Sequence, residues 1–415
     1  MTYLRTVRAS GIDPIILDGG DFLFTLSDYK SNKYRRRQML EKARLLVEAY
    51  NRFGYAAAAV AECDLALGLD ALKRIQKEMD FPLLCANLID EETGSPVFPP
   101  STVIERSGVK VGVVAAMLEL RGNYLKRVAP STRITPPLEA IRREVERISG
   151  EVDLVFLLGH INRKDIDRIA DELPAVDFIL EPNSFAGNTA IWVTRDENFV
   201  ERNGGVLLKV SGQGASVGRI DVTLRKKGAP WALAAGEGAE TANIYRPKLV
   251  ELAPHIGRHA GMQKMVEAYL RSTRFVNLAP EDDDDFQAST AYLTGERCAA
   301  CHLEQHTFWE RTAHARAYAT LERTGDQFRY DCIPCHVVGY GETFVDAHKP
   351  GPYINVQCES CHGTNPRHAE DPTAHPWPQV DQSPCWACHN PRETRVAFFP
   401  EQKMPIIRCP PLEQE

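Results

Sequence analysis

Cys298-Ala-Ala-Cys301-His302, Cys332-Ile-Pro-Cys335-His336, Cys358-Glu-Ser-Cys361-His362 and Cys385-Trp-Ala-Cys388-His389 are four versions of one pentapeptide in the last third of a 415-residue chain. They decide how that third folds. Nine of the eleven cysteines lie between Cys298 and Cys409, and only Cys63 and Cys85 precede them. The spacing has a chemical reason in c-type haem attachment, where two thiols add to the porphyrin vinyl groups and the next histidine takes the iron from one face. Zinc is the competing chemistry, because four Cys-x-x-Cys pairs could close two four-cysteine sites. It gives no reason for a histidine after every second cysteine. The expected cofactors are therefore four covalent haems c, with His302, His336, His362 and His389 as proximal ligands and no other metal expected with confidence. Four haems in about 120 residues leave little room for an ordinary apolar core, so the porphyrins themselves are expected to fill it.

Upstream of these motifs the pattern changes. Apolar periodicity reads residues 14–18 as extended, 33–53 as helix, 56–60 as extended, 69–79 as helix and 82–86 as extended. A hairpin is expected around Ser107-Gly108, helices over 137–148 and 164–172, and strands over 153–158, 176–180, 205–210 and 217–224. That is a layered α/β domain. A helix over 258–274 places Met262, Met265, Val266, Tyr269 and Leu270 at helical spacing. Glu281-Asp-Asp-Asp-Asp285 follows as a solvated linker, because neighbouring like charges repel. It lacks the ligand spacing of a calcium loop. The expected domains are residues 1–257, a helix and acidic linker over 258–290, and a mostly α, irregular haem-bearing domain over 291–415.

Composition narrows the partners. With 43 % hydrophobic and 25 % charged residues the chain is globular, which excludes wholesale disorder and collagen-like repeats. A formal net charge of -7 argues against a nucleic-acid partner. The longest apolar stretch, residues 109–118, is half the length needed to cross a bilayer.

Residues around and between the haem motifs carry a resemblance. Gly295-Glu-Arg-Cys-Ala-Ala-Cys-His302, Trp309-Glu-Arg-Thr-Ala-His314-Ala-Arg-Ala, Asp331-Cys-Ile-Pro-Cys-His336 and Val356-Gln-Cys-Glu-Ser-Cys-His-Gly363 together resemble the tetrahaem cytochrome c-554 family. The resemblance implies closely packed haems, mostly ligated by two histidines, and electron transfer. It implies His314 and His368 as distal ligands; His348 and His375, each close to a proline in a loop that must bend over a haem edge, are further candidates by position. His306 stands four residues after His302, so on one helix the two share a face and cannot grip opposite sides of one iron. The tail departs from the family: residues 391–415 hold no histidine and offer Met404 and Cys409 instead. One haem is then five-coordinate, carries a sulfur ligand, or borrows His255 or His259 from upstream; an open or sulfur-bound iron differs in potential or reactivity.

A second resemblance covers residues 10–225. Ile15-Ile-Leu-Asp-Gly-Gly-Asp21, Val60-Ala-Glu-Cys-Asp-Leu-Ala-Leu-Gly68, Leu84-Cys-Ala-Asn87, Gly108-Val-Lys-Val-Gly-Val113 and Leu158-Gly-His160 are similar, in this order, to the calcineurin-like metallophosphoesterases of the 5'-nucleotidase branch. Such enzymes hold two metals that activate water. The resemblance implies Asp21 as a bridging aspartate and His160 as a histidine ligand. The other ligands are missing. The first Asp-x-His motif would precede Met1, Ala61-Glu-Cys-Asp64 stands where the family has Gly-Asn-His-Glu, and Glu181-Pro-Asn-Ser184 stands where it has Gly-His-x-His. Two ligands cannot hold a dimetal centre, so the domain is expected to be a non-catalytic scaffold or binding module, with a remodelled metal site as the other reading. Without a metal, Asp21 fixes a strand-end turn, His160 is an ordinary loop residue, and Cys63 and Cys85 are small buried apolar groups.

Haem attachment to this motif takes place outside the bacterial cytoplasmic membrane, so a periplasmic location is expected. Residues 1–20 show no export signal. With the absent first strand and ligand motif, this reads as a truncated N-terminus. The expected function is electron transfer, with a redox protein or a membrane quinol-linked donor as partner. From residue 291 onward there are 11 Lys and Arg against 16 Asp and Glu, which suits a basic docking face. Two other readings stay open: a haem-based reductase of a small nitrogen or sulfur compound, and a periplasmic nucleotide phosphohydrolase.

Overall fold

A computed structural model describes residues 1–24, 36–118, 120, 123–182, 199–202, 205–210, 216–234, 240–275, 289, 291–344, 346–377, 380–381, 383–389, 403 and 406–411. The chain divides into two compact units, residues 1–30 with 41–266 and residues 31–40 with 267–415. The acidic run at 281–285, Met404, Asn183 and Ser184 lie outside the described residues.

The chain opens with α1 (Thr2–Ala9), β1 (Leu17–Asp18), α2 (Arg36–Phe53), β2 (Ala57–Ala59), α3 (Leu69–Gln76), β3 (Leu83–Leu84) and β4 (Leu88–Asp90). β1, β2 and β3 pair in parallel. β3 is shorter than its apolar run because Cys85 and Ala86 turn their N–H groups to the carbonyls of Pro99 and Ala115, away from β2. β5 (Ser101–Arg106) and β6 (Val109–Met117) form an antiparallel hairpin in which Arg106 faces Val109. Ser107 and Gly108 both have positive φ, 52° and 77°, as a two-residue turn matched to strand twist requires.

There follow α4 (Tyr124–Val128), β7 (Thr132–Ile134), α5 (Pro137–Ile148), β8 (Leu154–His160), α6 (Arg163–Glu172), β9 (Phe178–Pro182), β10 (Phe199–Arg202), β11 (Gly205–Val210), β12 (Ser216–Thr223), β13 (Trp231–Leu233), β14 (Asn243–Glu251) and α7 (Ala260–Ser272). α5 spans the bounds its pattern predicts, with Pro137 in its first turn and buried residues at Leu138, Ile141, Val145 and Ile148. Six strands lie in the order β10-β11-β9-β8-β6-β5, parallel inside and antiparallel at both edges. Alternation along β6 shows how the layers stack. Val114 and Ala116 meet Leu138, Ile141 and Val145 of α5 and Ile166 and Ile169 of α6. Val113 and Ala115 meet Ala57, Ala59 and Leu84 of the parallel sheet, with Trp231 and Tyr245. Covered on both faces, β6 needs an unbroken apolar run, which is what its sequence supplies.

The second unit is built from short pieces: α8 (Gly295–Ala299), α9 (Leu303–Glu310), α10 (Ala317–Thr324), α11 (Cys358–His362) and α12 (Cys385–Cys388), with 3-10 turns between them. Tyr318, Leu321, Ile333, Val337 and Phe344 gather into a small apolar cluster. Among the described residues, no helix is long and apolar enough to cross a membrane.

Candidate functional site

Each Cys-x-x-Cys-His segment is wound into one helical turn. Cys298 lies in α8 and Cys301 just after it, closed by the His302 N–H bond to the Cys298 carbonyl at 3.0 Å. Cys332 opens the 3-10 turn Ile333–Cys335, and His336 caps it. Cys358, Cys361 and His362 make up α11; Cys385 and Cys388 bound α12, and His389 caps it. Residues three apart on a helical turn share a face, so both thiols are presented side by side with the histidine next to them. Two thioether bonds to one ring, and a ligand to its centre, need that arrangement.

Histidine rings from distant parts of the unit come together in pairs. His302 and His368 have ring centres 6.0 Å apart and planes 13° apart. His314 and His389 stand at 6.1 Å and 49°. Two imidazoles on opposite faces of one metal, each bonded at about 2 Å, put their ring centres roughly 6 Å apart. Burial first, and the facing ring second, hold His302 and His314 below the ordinary imidazole range. Both rings are therefore neutral near pH 7 and keep a lone pair for a metal. Burial also lowers His362 and His389.

Second hydrogen bonds orient two of the rings. His336 donates Nδ1–H to the Ala317 carbonyl at 2.6 Å, and His368 donates Nδ1–H to the His375 carbonyl at 2.8 Å. Each leaves Nε2 as the acceptor, the usual state of a metal-bound histidine. His348 is arranged differently: its Nε2 bonds the Arg274 carbonyl at 2.7 Å and its ring lies 4.7 Å from Phe328. The His306 ring packs on Trp309 at 5.2 Å, with Nδ1 3.8 Å from Glu310. His259 accepts the Met262 N–H at 3.3 Å, at the start of α7. Burial first, then the Cys385 and Cys409 thiols, push the Cys361 thiol up, which places Cys409 near the third motif. Trp377, which nothing in the sequence pattern singles out, has its ring centre 5.0 Å from that of His368 and 6.4 Å from that of His362.

In the first unit, carboxylates stitch the loops where the metals of a phosphoesterase would be expected. Asp64 accepts N–H bonds from Asp21 at 2.9 Å, Leu23 at 3.2 Å and Ala61 at 3.0 Å. Its buried carboxyl is pushed up to about 8, by burial first and Asp21 second. Asp21, at φ 58°, accepts the Cys63 N–H on Oδ1 at 2.7 Å. Gly20 permits this approach: at φ 104°, a side chain there would bring its Cβ within 2.7 Å of the Ala61 Cβ. Asp18 accepts the Gly20 N–H and the Tyr50 hydroxyl, each at 2.9 Å. Asn87 donates to the Met117 carbonyl at 2.8 Å and the Thr135 carbonyl at 3.0 Å, and accepts the Met117 N–H at 2.9 Å. Cys63 and Cys85 are buried. His160 ends β8 opposite Met117, and its side chain is outside the described set. Among the described residues, no group of three or more His, Cys, Asp or Glu side chains is arranged to hold a metal ion.

Residues 297–363 match the family of cytochrome c554 and c-prime. This cytochrome c554 segment is 33 % identical over 89 residues to cytochrome c-554 of Nitrosomonas europaea, covering 16 % of this chain and 36 % of that protein. Covalently bound haem c, with a role in electron transfer, goes with the match. Elsewhere, the chain is 23 % identical over 181 residues to the uncharacterised metallophosphoesterase YunD of Bacillus subtilis, covering 43 % of this chain and 37 % of YunD. The structure of a 5'-nucleotidase precursor from Thermus thermophilus superposes with a TM-score of 0.50 at 20 % identity, covering 78 % of this chain and 61 % of that one. The chain thus spans little more than a third of the curated relatives it matches here. Its N-terminal region has the calcineurin-like phosphoesterase fold of the 5'-nucleotidases.

Side chains of the second unit, within the cytochrome c554 segment and beyond it, suit the group the match implies. Paired thiols share a turn, and His302 faces His368, as His314 faces His389, at a spacing one metal can bridge. In the phosphoesterase-like region, by contrast, Asp21 is engaged with backbone, and among the described residues no group of three or more potential ligands is arranged to hold a metal ion.

Proposed function

We propose that the chain is an exported tetrahaem c-type cytochrome that carries electrons, its haem-bearing domain at 291–415 joined through 258–290 to a phosphoesterase-like domain at 1–257 with no catalytic role. One observation carries this reading: two histidine pairs at a separation of 6.0 Å and 6.1 Å beside repeated Cys-x-x-Cys-His turns. Cys298 with Cys301, Cys332 with Cys335, Cys358 with Cys361 and Cys385 with Cys388 would attach the four rings. His302 with His368, and His389 with His314, would be the axial pairs of the first and fourth. His336 and His362 would hold the second and third. Haem supplies one-electron exchange at its iron. The polypeptide's part is to keep two nitrogen donors in place in both oxidation states, exclude water from them, and fix the tautomer through the Ala317 and His375 carbonyls. The redox partner would be a protein with a basic face or a membrane quinol-linked donor.

A second reading, reduction of a small nitrogen or sulfur compound, is favoured by the second and third sites. Among the described residues neither His336 nor His362 faces a histidine at the spacing of the other two pairs, while Cys409 lies near the third motif. Expression with a haem-maturation system tests both. Four haems by mass and a wholly low-spin ferric spectrum fit electron transfer, a high-spin component fits the reductase, and a colourless chain overturns both. For the N-terminal domain, manganese-loaded protein is expected to release no phosphate from nucleoside monophosphates; release above a buffer blank overturns the non-catalytic assignment.

A further inference from the structure

The loop after the third haem motif returns to its own starting point. Trp377 donates its indole N–H to the carbonyl of His362, the last residue of α11. Its ring meets the His362 ring at 78° and the His368 ring at 67°, both edge to face, an arrangement in which aromatic quadrupoles attract. Two residues before Trp377, the His375 carbonyl takes the Nδ1–H of His368 at 2.8 Å, and the Asn365 amide bonds the same oxygen at 3.4 Å. His368 is thus held by a hydrogen bond at one ring nitrogen and by an indole against its ring. The indole is anchored in turn to a histidine of another haem motif.

We propose that Trp377 is a positioning residue shared by two haem sites, setting the ring plane of His368 at the first site and tying it to the backbone of His362 at the third. The inference rests on the axial pairing of His302 with His368 given above. The 13° between those two rings, against 49° for His314 and His389, is the geometry the bracing produces. The angle between axial imidazole planes governs how the ferric d orbitals split. A nearly parallel pair gives a rhombic low-spin resonance signal, and a more crossed pair a more axial one.

The test uses the full haem-loaded chain with haem content checked by mass, in the variants Trp377→Phe, Trp377→Ala and His368→Ala. Trp377→Ala is expected to lose or reshape the rhombic signal of the first site and shift its potential, leaving the signal of the His314 and His389 pair unchanged. Trp377→Phe keeps a ring against His368 but loses the donor to His362, so it should retain low-spin iron with a smaller shift. A fully loaded Trp377→Ala protein with unaltered signals and potentials overturns the proposal. Where the alanine variant fails to mature, Trp377→Phe decides, and unshifted potentials at both sites overturn it. His368→Ala separates this from failure of the pairing: if the rhombic signal survives there, the pairing is wrong, whatever Trp377 does.

Discussion

Gly159 shows how far one residue can constrain the first unit. At φ 149°, any side chain would place its Cβ 2.0 Å from the Ala116 carbonyl oxygen, inside the β6 and β8 pairing. Gly159→Ala must push the strands apart and is expected to cost roughly 3 kcal/mol or more, read by denaturant unfolding of the first unit's transition. An unchanged midpoint would mean the strands can separate there freely. Asp18 makes a pH prediction. Burial raises its carboxyl to about 6, so the native chain keeps a proton that the unfolded chain has already released. The stabilisation from this group is full below the ordinary carboxylate range and is lost as pH rises through about 6. Asp18→Asn still accepts from Gly20 and Tyr50, so it should remove that fall in melting temperature between about pH 4 and 6. Sequence shows the glycines before Asp21 and His160 as punctuation. It does not show that Ala61 and Ala116 are the residues they avoid, because those contacts join segments far apart in sequence.

Elements were legible in proportion to how local their causes are. α5 follows from Pro137 and an apolar face, and the β5 and β6 hairpin from two residues able to take positive φ. The haem-motif turns follow from spacing alone. β3 is shorter than the extended run expected over 82–86, because the apolar run continues past the residues that pair with β2. The meeting of His302 with His368 was not legible from spacing, since the family resemblance supplied His368 as a ligand but the loop's path alone supplies its partner. Trp377 left no trace in any periodicity. Each proposed pair carries a prediction: His314→Ala should convert one low-spin iron to high-spin without loss of haem mass, seen by electron paramagnetic resonance. His348→Ala, whose Nε2 is engaged by the Arg274 carbonyl, should leave the spin states alone. A high-spin signal from the second variant would show that His348 leaves that carbonyl for an iron.

At the scale of the molecule, a phosphoesterase fold and a cytochrome c554 segment share one acidic chain of net charge -7. If the haem-bearing region docks by charge, reduction by a basic redox protein should slow steeply as salt rises, because screening shortens to about 10 Å at 0.1 M. A rate indifferent to salt would remove the basic partner. The small cluster of Tyr318, Leu321, Ile333, Val337 and Phe344 has a consequence for biosynthesis. Among the described residues of the second unit, so few apolar side chains are buried that they alone repay little of the conformational entropy of ordering it. If haems fill that core, as proposed, pigment insertion and acquisition of shape are one event in the second unit, and a cell starved of iron would hold that unit open to proteases. Brief trypsin treatment of haem-free chain should trim it back toward the α/β unit, while the pigmented chain survives.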